Sequence, residues 1–325
     1  MILTTAGKPS SRRRVLTWGA GAALVTALPA SAGTHAAPPD GGSSGKGSGN
    51  SSGSGSGSGR EIVRRLRDLE QRHSARLGVY ARNAATGRTV RYRANERFPL
   101  CSVFKTLAVA AVLRDLDRDG EFLARRIRYT GKDVTDSGYA PVTGKPENLA
   151  AGMTVAQLCA AAICHSDNAA GNLLLREVGG PTAITRFCRS TGDRTTRLDR
   201  WEPDLNSAEP WRTTDTTSPS AIGQTYARLV LGTALVDDDR ERLTGWLLDN
   251  TTGDAKLRAG LPSDWTVADR TGGGKYGTNH DVGITWPPGG SPLVMAVLTT
   301  KPEPDASPDN PLVAETARLL AEAPA

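Results

Sequence analysis

A serine and a lysine stand three residues apart at the start of an apolar segment that the sequence predicts to be helical. Ser102 and Lys105 would lie on one face of that helix, one turn apart. A serine hydroxyl becomes a nucleophile when a base takes its proton, and a lysine serves as that base when burial lowers its pKa. The helix N-terminus and the Ser102 N–H would favour an oxyanion. The spacing therefore indicates nucleophilic catalysis, with a helix cap and a surface lysine as the alternative.

A second group of polar residues follows the apolar run 155–164. Ser166 offers a hydroxyl that can relay a proton to a leaving nitrogen, and Asn168 offers an amide that can hold a substrate carbonyl. The alternative for this segment is ordinary helix capping by Asp167 or Asn168.

A third group ends a predicted strand. Arg270 and Thr271 can bind an anionic carboxylate. The small residues Gly272 and Gly273 let a substrate lie against the strand edge, and the Gly273 N–H can point at an oxyanion. The alternative is a glycine-rich hairpin turn with a solvated arginine.

A fourth group lies in an irregular, proline-containing segment that reads as an ordered loop. Glu202 and Asn206 can hold one water between them, with the carboxylate as general base. Arg200 and Asp215 can close the neck of the loop as an ion pair. A solvated glutamate on a surface loop is the alternative.

The elements that must position these residues fall into a pattern of strands at both ends with helices between them. We expect helices at 61–73 and 311–321, further helices within 103–163, and strands at 76–82, 88–93, 265–269, 283–286 and 293–300. This order predicts an α+β fold, in which an antiparallel sheet built from both termini carries flanking helices. Residues 61–98 and 250–325 would form the sheet domain. Residues 99–249 would form an all-helical domain, with the active site in the cleft between the two.

The first sixty residues read as a targeting segment and a tether. Arg12 and Arg13 precede an apolar run and a small-residue cleavage site near Ala32, so residues 1–32 resemble a secretory signal of the twin-arginine type. Residues 33–60 are rich in Gly and Ser and predict a flexible linker. A membrane anchor is the alternative, but the apolar run is short and no second span follows. We therefore expect an exported protein with no membrane span after processing.

Composition excludes several classes of function. The 325 residues carry a net charge of +6, but residues 1–59 hold five cations against one acid, which leaves the remainder at +2. No basic stripe for nucleic acid follows. The histidines lack carboxylate or cysteine partners at ligand spacing, so no metal or cofactor is expected. Cys159 and Cys164 lie in an apolar run that favours buried free thiols, and a monomer is the default expectation.

In this order and spacing, the four groups resemble the class A serine β-lactamases over residues 61–322. The resemblance implies that Ser102 is the nucleophile, Ser166 the proton shuttle to the β-lactam nitrogen, and Asn168 the binder of the substrate's side-chain amide. It leaves Lys105 and Glu202 as alternative acylation bases. It further implies deacylation by a water on Glu202 and Asn206, an oxyanion hole at the N–H groups of Ser102 and Gly273, and an aromatic cleft rim at Tyr139.

Three departures from the family pattern affect substrate choice. Arg270 replaces the usual lysine, as in carbenicillin-hydrolysing members, so penicillins and in particular carboxypenicillins are the expected substrates. Asn279 occupies a position where many members carry an arginine, and Lys256 is the candidate replacement cation. Cys101 precedes the nucleophile, but Gly274 occupies the place where one type of carbapenem-hydrolysing member has the disulfide partner of that cysteine, which argues against that type.

Two other functions share part of this pattern. A penicillin-binding D-Ala-D-Ala peptidase carries the first three groups, and a non-hydrolytic β-lactam-binding protein keeps Ser102 without turnover. Both lack a means to activate water on the acyl-enzyme. Glu202 with Asn206 therefore favours the hydrolase.

Overall fold

A five-stranded antiparallel sheet, built from both ends of the chain, is the centre of the fold. The computed structural model describes residues 54–322, so the predicted signal peptide and most of the predicted linker lie outside the described residues. The sheet has the strand order β2-β1-β9-β8-β7. Its strands are β1 Arg76–Asn83, β2 Thr89–Tyr92, β7 Thr266–Gly274, β8 Thr278–Trp286 and β9 Leu293–Thr300. Two short pairs complete the strands, β3 Phe98–Pro99 with β6 Thr216–Thr217 and β4 Arg126–Ile127 with β5 Met153–Thr154.

Twelve helices surround the sheet in the described part of the chain. They are α1 Ser54–Arg72, α2 Phe104–Ala111, α3 Glu121–Ala124, α4 Gly131–Ser137, α5 Pro146–Ala151, α6 Val155–Cys164, α7 Asn168–Val178, α8 Pro181–Ser190, α9 Pro219–Val230, α10 Asp237–Leu248, α11 Leu257–Gly260 and α12 Asn310–Glu322. A 3₁₀ turn, Cys101–Val103, precedes α2, and another, Asp204–Ser207, lies in the loop before β6.

The sheet separates two apolar clusters because successive side chains of a strand point to opposite faces. Along β1, Val79 packs with the helices of the two termini, whereas Tyr80 packs with the central helices. On the terminal side, Leu66 of α1 and Leu312 of α12 are fully buried in one cluster. Every residue of β9 is buried, as expected for a strand covered on both faces.

Helix α2 lies inside the central cluster and is buried on all sides. Its eight residues, Phe104–Ala111, are all buried, Lys105 and Thr106 included, so the helix lies within the core and not at its surface. The helix thus provides a rigid support directly behind Ser102.

The α+β fold is confirmed, and the strand at 293–300 matches β9. β7 continues to Gly274 and β8 begins at Thr278, so the glycines are in the strand and not in a hairpin turn. The reason is cross-strand pairing, which runs unbroken from Thr266↔Trp286 to Gly274↔Thr278. The division of the body into a sheet domain and a helical domain stays a prediction. Between residues 54 and 322 no helix is both long and apolar enough to cross a bilayer.

Candidate active site

Ser102 lies in the tight turn between β3 and α2. Cys101 has a positive φ of 43°, a conformation that few residues with a side chain adopt. The segment before the turn is fixed on both sides, because the Leu100 N–H donates to the carbonyl of Asp215 at 2.7 Å and the His280 imidazole contacts the carbonyl of Pro99 at 2.9 Å. The nucleophile candidate is therefore held by backbone contacts and by the buried helix behind it.

Lys105 is fully buried one turn further along the same face. Its Nζ donates to Ser102 Oγ at 2.9 Å, to the Ser166 carbonyl at 2.9 Å and to Asn168 Oδ1 at 2.6 Å. It also lies 3.0 Å from Glu202 Oε1. Burial lowers the pKa of Lys105 to about 8, against the charge of Glu202, which raises it. The amine is thus the meeting point of three of the four groups.

Glu202 and Asn206 are brought together beside Ser102 and Lys105. The Ser102 hydroxyl donates to Glu202 Oε1 at 3.1 Å, and Asn206 Nδ2 donates to Oε2 at 2.5 Å. Asn206 Oδ1 is buried and has no partner among the described atoms. This arrangement places a carboxylate and a free amide oxygen next to the serine, as an activated water requires.

Asn172 holds Glu202 by its backbone, and the sequence analysis missed it. Its Oδ1 accepts the Glu202 N–H at 3.0 Å, and its Nδ2 donates to the Glu202 carbonyl at 2.9 Å. A signal was available, because Asn172 lies four residues after Asn168 on α7, on the same helix face.

The neck of the loop is closed as the sequence suggested. Arg200 Nε donates to the buried Asp215 Oδ2 at 2.6 Å. The other oxygen, Oδ1, accepts the N–H groups of Asp199 and Arg200 at 2.8 and 2.9 Å. The loop is therefore tied at its base by a charged, multiply bonded carboxylate.

In the triplet 166–168, Asp167 caps a helix, whereas Ser166 and Asn168 contact Lys105. Asp167 is the N-cap of α7 and accepts the Ala170 N–H at 2.8 Å, so the capping alternative is right for this residue. Ser166 has a positive φ of 58°, and its hydroxyl faces Lys105 at 3.5 Å. Asn168 is fixed by Nδ2, which donates to the Ser137 carbonyl at 3.0 Å.

Arg270 is fully buried, so the alternative of a solvated arginine is wrong. Its Nη2 donates to Ser166 Oγ at 2.8 Å, and its Nη1 donates to the Thr271 carbonyl at 2.6 Å. Burial lowers the pKa of Arg270, yet an arginine remains charged at any working pH. The site therefore contains two buried cationic groups around one serine hydroxyl.

The glycines of β7 allow this strand to lie against the nucleophile turn. A Cβ on Gly272 would lie 2.9 Å from Val103 Cγ2, whereas a Cβ on Gly273 would meet only the Thr278 carbonyl at 3.6 Å. The edge of β7 at Gly273 thus has room on the side that a substrate would approach.

The comparisons with known proteins agree with this geometry. A model described as the β-lactamase enzyme family matches residues 61–323. A β-lactamase of Streptomyces lavendulae is 66% identical over 320 residues, which cover 98% of this chain and 99% of the relative. The chain belongs to the β-lactamase family.

Two solved structures place this β-lactamase in class A. The β-lactamase from Streptomyces albus G is 64% identical with a TM-score of 0.80, covering 81% of this chain and 98% of that chain. An ancestral class A β-lactamase is 50% identical with a TM-score of 0.77, covering 81% of this chain and 99% of that chain. The protein is a class A serine β-lactamase, a hydrolase of β-lactams.

The remaining predicted residues of the β-lactamase lie around this centre. Lys256 Nζ donates to the carbonyl of His280 at 3.5 Å, and burial lowers the pKa of Lys256, opposed by the charge of Asp281. Tyr139 is 59% exposed, and its carbonyl accepts the Asn168 N–H at 2.8 Å. The Tyr139 side chain is therefore exposed, and not half-buried as expected for a loop tyrosine without a role at the cleft.

The four cysteines of the β-lactamase are buried free thiols, as expected for Cys159 and Cys164. Cys101 lies beside Gly274, where a Cβ would be 3.0 Å from its Sγ. Burial raises the pKa of the Cys101 thiol. In residues 54–322 no group of three or more His, Cys, Asp or Glu side chains could hold a metal ion.

A cavity of about 540 Å³ opens beside the site. Asn206 and Gly274 line it, together with the cations Arg200 and Lys275 and the acid Asp204. The cavity lies between the loop that carries Glu202 and the end of β7.

Proposed function

We propose that this β-lactamase opens the β-lactam ring through a covalent acyl-enzyme on Ser102, which a water on Glu202 and Asn206 then hydrolyses. The observation that carries this proposal is the buried Ser102 hydroxyl, which lies 2.9 Å from Lys105 Nζ and 3.1 Å from Glu202 Oε1. A nucleophile, a cation and a carboxylate in mutual contact are the parts that acylation and deacylation both need.

The proton directions favour Glu202 as the first base. An ammonium has only donors, so with Lys105 charged, its Nζ donates to Ser102 Oγ, and the serine's own proton points to Glu202. In this proposal the carboxylate takes that proton as the oxygen attacks the lactam carbonyl. The N–H groups of Ser102 and Gly273 stabilise the oxyanion.

Ser166 is suited to deliver a proton to the lactam nitrogen. Its oxygen accepts from Arg270 at 2.8 Å and from Lys105 at 3.5 Å. Because both neighbours donate, the serine's own proton is directed away from them and is available to the leaving nitrogen. Lys105, 3.5 Å from Ser166 Oγ, replaces the proton that Ser166 loses, and Lys105 in turn takes the proton that Glu202 received from Ser102, across 3.0 Å. Glu202 is then ionised again for deacylation.

Substrate binding in this proposal uses the groups at the rim and along β7. Arg270, Thr271 and Lys256 attract the ring carboxylate, and Asn168 receives the side-chain amide. Tyr139, exposed above Asn168, forms the aromatic edge of the cleft. Two of these binding residues also contact the reacting groups, because Arg270 donates to Ser166 Oγ and Asn168 accepts from Lys105 Nζ.

The test is the time course of benzylpenicillin opening by residues 61–325, next to Glu202→Ala. We expect sustained turnover by the unchanged protein and an acyl-Ser102 adduct that accumulates in Glu202→Ala, detected by intact mass. Glu121→Ala, which removes an exposed carboxylate from α3, is the matched control and should turn over normally. A single stoichiometric burst from all three proteins would instead indicate the peptidase or the non-hydrolytic binding protein.

We further propose that penicillins, and carboxypenicillins among them, are preferred substrates. Lys275 lines the cavity beside Asn206 and pairs with the exposed Asp305 at 2.6 Å, and a carboxylate on the acyl side chain would compete with Asp305 for this ammonium. Comparing kcat/KM for carbenicillin and benzylpenicillin, in the unchanged enzyme and in Lys275→Gln, tests this. We expect the ratio to fall in the variant, and an unchanged ratio would contradict the assignment.

Export by the twin-arginine route is also a proposal, supported by Arg12 and Arg13 before the apolar run. Replacing both by lysine should retain the precursor in the cell, as measured by the mass of the protein recovered outside. We propose that the released enzyme is a monomer, which light scattering would test.

A further inference from the structure

A short loop after α10, residues 250–253, connects the two walls of the site. Thr251 attaches it to the end of α6, because its N–H and its hydroxyl both donate to the Cys164 carbonyl, at 2.9 and 2.8 Å. Asn250 attaches it to β7, because its Nδ2 donates to Asp269 Oδ2 at 2.9 Å. The loop is therefore fixed immediately before the Ser166 segment and immediately before Arg270.

Thr252 lies in the middle of this loop and contacts Thr271. The two hydroxyl oxygens are 2.6 Å apart. Thr271 is buried and Thr252 is half-buried. Arg270 Nη1 reaches the same Thr271 oxygen at 3.3 Å. The Thr252 hydroxyl thus contacts Thr271, a residue that we propose binds the substrate carboxylate.

The direction of the protons follows from Asn250. Its Oδ1 accepts the backbone N–H of Thr252 at 3.1 Å, which fixes the orientation of the amide. The Thr252 hydroxyl also donates to Oδ1, at 2.8 Å. Since a hydroxyl has one proton, Thr252 must accept in its contact with Thr271. In this state Thr271 donates to Thr252, and Thr252 donates to Asn250.

We propose that Thr252 is a positioning residue for the ring carboxylate of the substrate, acting through the hydroxyl of Thr271. The inference rests on the proposed role of Thr271. When the anion binds, Thr271 turns its proton to the carboxylate, and Thr252 turns its own proton from Asn250 to Thr271. The Asn250 oxygen keeps the Thr252 N–H, so no buried acceptor loses its last partner.

The reversed hydrogen bonds, from Thr252 to Thr271 and from Thr271 to the carboxylate, bind the anion more strongly than Thr271 would alone. A bond to a carboxylate is charge-assisted, and a hydroxyl that accepts a hydrogen bond becomes a better donor, since successive hydrogen bonds polarise one another. Thr252 accepts a hydrogen bond from Thr271 in the unliganded state and donates one to Thr271 in the liganded state, so it stabilises both. The gain in the liganded state is larger because the chain then ends on a charge.

The test is Thr252→Val, which keeps the shape of the side chain and removes the hydroxyl. We expect the KM for benzylpenicillin to rise about three- to tenfold, the size of one net hydrogen bond, and kcat to stay within about twofold because the contacts of Ser102 are untouched. Thr252→Ser, which restores the hydroxyl, should restore KM. Thr244→Val is the control, since the Thr244 hydroxyl donates to the carbonyl of Arg240 in its own helix.

A double-mutant comparison separates this inference from the function on which it rests. Thr271→Val should raise KM by itself, and adding Thr252→Val should then have no further effect, because the relay is already broken. A raised KM in Thr271→Val with an unchanged KM in Thr252→Val overturns the role of Thr252 alone. Equal effects of Thr252→Val in both backgrounds overturn it as well. An unchanged KM in Thr271→Val overturns the carboxylate assignment and the inference together. Melting temperatures establish that each variant is folded.

Discussion

The Lys105 amine has four oxygen acceptors within 3.0 Å, on Ser102, Ser166, Asn168 and Glu202, and an ammonium has only three protons. The surplus of acceptors stabilises the charged form, whereas burial disfavours it. Burial has the larger effect and lowers the pKa to about 8. Near neutral pH the amine is therefore mainly a donor, and Ser102 has Glu202 as its acceptor. As the pH rises through the pKa, the amine gains a lone pair that can take the proton of Ser102.

This balance gives a prediction for Glu202→Gln. Without the carboxylate, acylation must use the neutral Lys105 amine, so its rate should rise with pH and level off. The midpoint should lie below 8, because the charge of Glu202 raises the pKa of Lys105 and is lost in the variant. The unchanged enzyme should show no such rise between pH 6 and 7.5. Stopped-flow acylation by benzylpenicillin measures both, and a flat profile in Glu202→Gln would exclude Lys105 as the substitute base.

At the scale of elements, the loop that carries Glu202 is positioned from two directions. Asp215 ties its base to Arg200, and Asn172 on α7 holds the Glu202 backbone by two hydrogen bonds. The same helix begins at Asn168, so one element sets the distance between the Asn168 amide and the Glu202 carboxylate. A shift of about 1 Å at a reacting group can cost about a hundredfold in rate.

Asn172→Ala should therefore slow deacylation more than acylation. We expect a loss of about 1–3 kcal/mol in the free energy of unfolding and a fall in deacylation of at least about tenfold. Asn83→Ala is the matched control, because the Asn83 side chain likewise makes two hydrogen bonds to the backbone, accepting the N–H groups of Ala85 and Thr86 in the β1–β2 hairpin. It should lose similar stability and keep its deacylation rate. Equal losses of deacylation rate in both variants would show that Asn172→Ala acts through a general loss of stability and not through the position of Glu202.

At the scale of the whole molecule, the two faces of the sheet have different tasks. The face toward α2 and α9 supports the site. The opposite face is covered by α1 and α12, whose Leu66 and Leu312 are fully buried. The first and last described elements therefore close the same core, and stability depends on joining both ends of the chain.

Leu66→Ala tests this separation of tasks. Removing the buried side chain should lower the free energy of unfolding by about 2–5 kcal/mol, measured by urea unfolding. At 25 °C, where the variant remains folded, kcat and KM for benzylpenicillin should stay within about twofold of the original. Arg64→Ala, an exposed position on the same helix, is the control and should change stability by less than about 0.5 kcal/mol. A large fall in kcat in Leu66→Ala would show that the terminal helices act on the site.

The sequence by itself determined the kinds of residue, their order and the class of fold. Alternating and helical patterns are local, so they predicted the strand at Leu293–Thr300 and the α+β arrangement. The spacing of Ser102 and Lys105 is also local, since a helix places residues three apart on one face.

Only the tertiary structure decided which distant residues touch. Ser102 meets Glu202 across one hundred positions of sequence and Arg270 meets Ser166 across 104. Local patterns also gave no indication that Arg270 is buried or that Thr252 belongs to the site, and the helical spacing of Asn172 from Asn168 did not show that Asn172 holds the Glu202 backbone. The reason is physical: periodicity reports which face of an element is apolar, whereas the partner of a buried polar atom depends on how separate elements pack together.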